Sequence, residues 1–314
     1  MLSRLRNFWN LLIEAGDEFI EDHATKLSAS LAYYTMFSIG PLLLVIITIL
    51  GWFYKKATVT TQVFDQIKNV IGMSATVELQ SILTNMSKQT NTTLFGIIGI
   101  LVFIFGATSI FAEIQSSINY IWSIKAKPKR SWLKYITDRL LSLVLVVGMG
   151  FVMMVATLAN ILIDLLSSRL QNLGNGNIVP LKVYNLSLLF VVATFVFIII
   201  FKVLPDAKIH WKDAIIGAIF TSVLFLIGKF LISYYLGLAR SITAYGAATS
   251  IILVLTWVYY CAMILYYGAE FTEVYAKKYG GGIKVGKNAV HIVKHETDVL
   301  IAKTHTHPEK GTKH

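Results

Sequence analysis

The sequence predicts an all-α, polytopic membrane protein with six transmembrane helices, both termini cytoplasmic, and short interfacial helices beside them. Three observations carry this. Hydrophobic residues make up 55% of the 314 positions and charged residues 14%, against about 25% charged in soluble domains. Mean hydropathy is +0.65. Six apolar stretches are long enough to span, at about 28–54, 93–122, 138–166, 183–204, 213–238 and 246–272.

Residues 1–27 read as an amphipathic interfacial helix rather than a cleavable signal peptide. Arg4, Arg6, Glu14, Asp17, Glu18, Glu21 and Asp22 supply its polar side; Trp9, Leu11, Leu12, Ala15 and Phe19 form the expected lipid-side face. The membrane domain covers 28–278. Between its first two spans, Thr58–Thr92 carries helical apolar spacing (Val63, Ile67, Val70, Ile71, then Leu79, Ile82, Leu83, Met86) and is expected as short helices on the outer surface. Gln171–Pro180, with Gly174-Asn175-Gly176-Asn177, is a turn-rich outer loop. The last span, Ala247–Ala269, reaches about 34 Å as a helix, against a hydrocarbon core of about 30 Å. Residues 279–314 form a basic cytoplasmic tail, expected to be flexible beyond Gly280-Gly281-Gly282.

Orientation follows from the distribution of positive charge. The N-terminus, the 123–139 and 202–212 loops and the tail hold 20 of the 28 Lys and Arg residues, which places that side in the cytoplasm. The net charge of +11 is therefore the positive-inside signal, and no nucleic-acid partner is expected. The single cysteine, Cys261, excludes an intrachain disulfide and a cysteine metal cluster.

Soluble-enzyme motifs are absent: there is no P-loop, GxGxxG, GxSxG or HExxH. His305 and His307, with His291, His295 and His314 nearby in the chain, lack a rigid frame for a metal. The protein is read as a non-enzyme with no cofactor and no metal.

Polar residues within the spans point further. Tyr259, Met263, Tyr266, Glu270 and Glu273 share one face of the last span; Gly106, Ser109, Glu113, Ser116 and Tyr120 share one face of the second. Tyr34 and Ser38 of the first span reach similar depth. These faces are expected to meet around an inward-facing polar vestibule lined by Tyr34, Ser38, Glu113, Tyr266 and Glu270, whose carboxylates bind a proton, a cation or a cationic group. The alternative reading is structural: Glu270 and Glu273 mark the helix exit, and Glu113 pairs with Lys202 or a loop lysine. Lys229 has Asp164 as a candidate partner. Pro41 is expected to kink the first span, and Gly246, like Gly96, Gly99, Gly148, Gly150 and Gly217, to permit close helix packing.

Four blocks resemble the YihY/BrkB family of bacterial inner-membrane proteins, once labelled ribonuclease BN. They are ASLAYYTMFSIGPLL (29–43), GATSIFAEIQSSINYIW (106–122), Leu204-Pro205-Asp206 with Trp211 and Gly217-Ala218, and Tyr245-Gly246-Ala247 through Trp257-Val258-Tyr259 to Gly268-Ala269-Glu270-Phe271. The resemblance covers roughly 8–278. Gly40 and Phe271-Thr272 depart from the common pattern beside candidate positions. It implies a six-helix membrane fold and a role in transporting lipid-linked or envelope molecules, with membrane lipids and a lipid-linked substrate as partners. A non-transporting envelope scaffold is the alternative. The ribonuclease label sits badly with an interior that offers no metal-binding carboxylate cluster.

Overall fold

The computed structural model describes residues 2–51, 93–127, 132–134, 136–148, 152, 178–239, 248–286 and 289–292, with isolated positions between 60 and 84. The described chain is mostly helical. Its long helices are α1 (Leu2–Glu21), α2 (Ala24–Gly51), α3 (Thr93–Ile121), α4 (Ile178–Val203), α5 (Trp211–Ala239) and α6 (Ala248–Tyr279), and residues 136–148 are helical as well. Most of the expected outer helices at 58–92, residues 171–177 of the expected outer loop, Asp164 and Gly246 lie outside the described residues, while Ile178–Pro180, expected as loop, open α4. Pro41 sits inside α2, which continues without interruption to Gly51.

α6 is the hub. It packs against α1, α2, α3 and α5, while α4 packs on α5 and α3 on α2. Its Ala262, Leu265, Tyr266 and Ala269 are buried together with Leu31 of α2, Ile114 and Ile118 of α3, Phe201 of α4 and Ala218 of α5. At the end of α3, the Trp122 indole N–H donates to the Ala269 carbonyl at 3.1 Å, fixing α3 to α6.

Close approach of α5 and α6 depends on a reciprocal glycine–threonine interlock. A Cβ on Gly217 would lie 1.9 Å from Thr272 Oγ1, and one on Gly268 would lie 2.0 Å from Thr221 Oγ1. Each threonine hydroxyl meanwhile donates to a carbonyl four residues back on its own helix: Thr221 to Gly217 at 2.7 Å and Thr272 to Gly268 at 2.6 Å. Each helix thus supplies one glycine notch and one threonine knob, with both hydroxyls satisfied internally.

α1 differs from its expected placement. Leu11 and Ala15 are buried against Phe271 and Val274 of α6 rather than facing lipid. Phe19 meets Tyr267 edge-on, and the Tyr267 hydroxyl donates to the Leu12 carbonyl at 2.9 Å. Trp9, Ile13 and Ile20 form the exposed stripe instead. The apolar face is wide enough to divide between protein and surroundings. His23, at φ 51°, turns the chain from α1 into α2.

Four short strands depart from an all-helical reading. β1 (Ile124–Ala126) pairs antiparallel with β4 (Ala289–His291), and β2 (Ala207–Lys208) with β3 (Lys284–Val285). The chain after α6, expected as a flexible tail, is therefore tied through residue 292 to the loops following α3 and α4. Unpaired backbone groups of those loops supply the partners, a long-range pairing that local composition does not reveal. Residues 293–314 lie outside the described residues.

The outer surface is apolar. Ile215, Ile219, Val223, Ile227 and Leu231 form one exposed stripe along α5 at four-residue spacing. Leu186–Val203 and Trp211–Leu231 are long and apolar enough to cross a membrane, and only 17% and 33% of their apolar windows are buried within the protein. The core helix of a soluble protein is mostly covered by its neighbours, whereas these two leave most of their apolar windows outside the protein interior.

Replacing Gly217 or Gly268 by Ala should lower stability by about 1–3 kcal/mol through overpacking, read as a reduced melting midpoint of the solubilised protein. Gly16→Ala is the control, since nothing lies within 4 Å of the added methyl. Equal midpoints for all three variants would contradict the interlock.

Candidate functional site

A polar network lies at the end of the described helices where α3, α4 and α6 finish and α5 begins. Asp206, in the turn between α4 and β2, is its centre. The Asp206 backbone N–H donates to Asn119 Oδ1 at 2.9 Å, and Asn119 Nδ2 donates back to Asp206 Oδ2 at 3.0 Å. Gln115, one helical turn earlier on α3, donates to the same Oδ2 at 3.4 Å. Lys134 Nζ donates to Asp206 Oδ1 and to Asp138 Oδ1, each at 2.5 Å. The Gly286 N–H donates to the Asp206 carbonyl at 2.9 Å. Only glycine permits that approach, because a Cβ at 286 would lie 2.5 Å from the carbonyl oxygen.

Burial works against the Lys134 ammonium, but its hydrogen bonds to Asp138 and Asp206 and their charges outweigh it and raise its pKa above 10.5. A raised lysine pKa means stability that is fully present below 10.5 and is lost only as pH climbs past it.

Beside this network opens a cavity of about 520 Å³, lined by Gln115, Ser116 and Asn119 of α3, Lys125 of β1, Asp138, Arg139, Asp206 and Ile292, among others. Arg139 also reaches α3, donating to the buried Thr108 hydroxyl at 3.0 Å. Ser123, at φ 53°, turns α3 into β1, and its carbonyl accepts from the Ile292 N–H at 2.7 Å. Ile292, which follows β4, is thereby held in the wall of the cavity.

The residues expected to line a vestibule are placed as follows. Ser30 of α2 donates to Glu113 Oε1 at 2.5 Å. Tyr266 is fully buried, with Ser117 and Glu113 as the polar neighbours of its hydroxyl. Glu270 is fully buried one turn further along α6, and Ser38 is buried on α2. Tyr34 is 44% exposed and packs edge-on against Tyr33, which packs on Phe37. Four residues advance a helix by about 40° beyond a full turn, so Tyr34 and Ser38 straddle the boundary between the outer and inner faces of α2. The structure joins Glu113 to α2 and brings it near Tyr266, but this contact is packed, and the open polar space lies at Asp206.

The pairings considered for the carboxylates resolve differently. Lys202 donates to the Ile209 carbonyl and lies 5.1 Å over the Trp211 ring. Glu273 binds Lys277 at 3.0 Å. Burial pulls the Lys277 ammonium down, yet Glu273, with Glu18 and Glu270 beyond it, raises its pKa overall.

A second cavity, about 370 Å³, sits deeper among the helices. Leu31 and Thr35 of α2, Val192 and Phe197 of α4, and Cys261 and Ala262 of α6 are among its walls, and none of its lining residues is charged.

The sequence reading assigned no role to Asp206, Gln115 or Asn119. They lie in two of its quoted blocks, and the helical spacing of Gln115 and Asn119 was a usable signal. Their contacts with Asp206, 91 and 87 positions further on, have no local signal.

The chain matches the family described as Virulence factor BrkB over residues 15–292. It is similar to a UPF0761 membrane protein of Tolumonas auensis, 29% identical over 80% of both chains. A UPF0761 membrane protein of Aliivibrio fischeri is 27% identical over 95% of this chain and 92% of its own. No solved structure matches.

Asp206→Asn should cost about 1.5–3 kcal/mol by removing the charged partner of Lys134. Its melting midpoint should fall below wild type by a constant amount from neutral pH up to 10.5 and converge with wild type above that value. A gap unchanged at higher pH would show that the ion pair is not its source.

Proposed function

The chain belongs to the Virulence factor BrkB family of membrane proteins, and from that premise we propose that it translocates a lipid-linked or envelope-related molecule across the bacterial inner membrane. In this reading it crosses the bilayer six times with both termini in the cytoplasm, as the charge distribution favours. One observation carries the reading: a charged cavity at the basic end accompanies an uncharged cavity among the helices. Their contrasting linings suit the head and the hydrocarbon tail of an amphiphile. Two further features support it. The α5 stripe suits lipid contact. Trp132 and Trp211, exposed at the basic end, suit the membrane–water interface.

Within this mechanism the half-buried Glu113 and the buried Tyr266 and Glu270 form the polar path between α2, α3 and α6, with the buried Ser38 and the exposed Tyr34 contributed by α2. A carboxylate held away from water exchanges charge with its surroundings when the helices part, which suits a coupling role. The same residues fit a static role equally well as packed groups, so transport is the deciding readout.

A scaffold that recruits cytoplasmic partners is the second reading, favoured by the strands β3 and β4 that anchor the start of the basic tail. Glu113→Gln and Glu270→Gln should reduce lipid translocation in proteoliposomes to the protein-free background while folded yield is retained. Wild-type translocation in both would remove these carboxylates from the mechanism. Loss of cellular function on removing residues 293–314, with translocation intact, would favour the scaffold.

A further inference from the structure

We propose that the uncharged cavity framed by α2, α4 and α6 holds the hydrocarbon chain of a membrane lipid. The sequence of α4 supplies one wall. Leu189, Val192, Ala193, Val196 and Phe197 line the space, and their 3, 1, 3, 1 spacing puts them all on one helical face. A helix turns such a face toward a partner. From Leu189 to Phe197 the wall runs about 12 Å. Across from it Val258, Cys261, Ala262 and Leu265 make the matching face of α6, with Leu31 and Thr35 of α2 beside them.

The space is not a product of loose packing. On its other flank α6 closes tightly on α5, where a Cβ on Gly228 would lie 2.6 Å from Ile264 Cδ1 and 2.9 Å from a Tyr260 ring carbon. α4 packs on α5 and α2 packs on α6, so the room lies between two packed pairs. Protein interiors leave few spaces larger than a water molecule. A volume of about 370 Å³, open to the surroundings, has the size of a ligand pocket instead.

The lining selects the chemistry of the occupant. Among the described lining residues only Thr35 and Cys261 carry a polar side-chain atom. Each buried water needs about two to four polar partners, and a hydroxyl with a weakly bonding thiol does not support a filled column of them. The location selects its origin. The α4 wall falls within Leu186–Val203, and Phe225, also on the wall, falls within Trp211–Leu231. These are the two stretches able to cross a membrane, and most of each lies outside the protein interior. The bilayer core around such stretches is hydrocarbon, so a lipid chain reaches the cavity without passing through water. The chain is carried either by a phospholipid or by a polyprenyl lipid. Occupancy stands without the translocator reading; that the chain is the tail of the translocated molecule rests on it.

The test places the full-length protein in phosphatidylglycerol vesicles that contain phosphatidylglycerol with a diazirine midway along one acyl chain. After irradiation, the label is mapped to single residues by mass spectrometry. Label is expected on Ala262 and Leu265, buried wall residues that bulk lipid does not touch, as well as on the exposed Val191 and Phe195 of α4. Ala193→Phe, which fills the cavity from the α4 wall, should lose the label on Ala262 and Leu265 and keep it on Val191 and Phe195. Should that variant not fold, Val192→Phe, at a half-buried wall position, takes its place. Excess polyprenyl phosphate that clears the wall label assigns a polyprenyl chain; wall label that survives it assigns the phospholipid chain. Label confined to the exposed residues in the wild type, or wall label unchanged in a folded filling variant, overturns the site. Wall label in a protein that translocates nothing refutes the translocator and leaves the site standing. Translocation with label confined to the exposed residues does the reverse.

Discussion

The carboxylate of Asp206 receives hydrogen bonds from α3 and from Lys134 in the helical segment 132–134, while its own backbone carbonyl accepts from the segment between β3 and β4. Taking a carboxylate partly out of water costs several kcal/mol unless its lone pairs are matched. Here Lys134, Asn119 and Gln115 match them, tying the turn after α4 both to α3 and to the 132–134 segment. With Asp206 held, the turn after α4 has one position, Gly286 can approach its carbonyl, and Ile292 is set in the cavity wall. The cavity is the space these constraints leave between α3 and the returning C-terminal strand.

The helices beneath obey a different rule. Within a bilayer the apolar surroundings do not drive helices together, so close packing and satisfied backbone groups must hold them. The Gly217–Thr272 and Gly268–Thr221 contacts meet that need by letting α5 and α6 approach while keeping both hydroxyls bonded. Trp122 does the same between α3 and α6 with one side-chain bond to a carbonyl. α6 thus carries contacts to four other helices, and its buried Tyr266 and Glu270 lie where a shift of any of them would be felt.

How much of this was legible in sequence depends on range. Long apolar runs show themselves locally, and α2 to α6 fall on stretches whose composition marks them. The shared face of Ser109, Glu113 and Ser116 follows from spacing, and Glu113 does meet a polar group of α2. Tyr34 shows where spacing alone falls short, since a four-residue step drifts around the helix and carries it to the exposed side. The α1 face was visible as apolar, but nothing local separates Leu11 and Ala15, which meet α6, from Trp9 and Ile13, which do not. The strands are two or three residues long and pair with segments far away. Asp206 was equally hidden, because its partners belong to other elements of the chain.

These parts converge on the proposed role of the polar space framed by Asp206, Arg139 and Ile292, that of receiving the head of an amphiphilic ligand. The most direct measurement is a cryo-electron microscopy map of the protein in native-lipid nanodiscs. Headgroup density is expected in the cavity between Gln115, Arg139 and Ile292. A cavity holding only water, with lipid ordered solely along the outer α5 stripe, would contradict it.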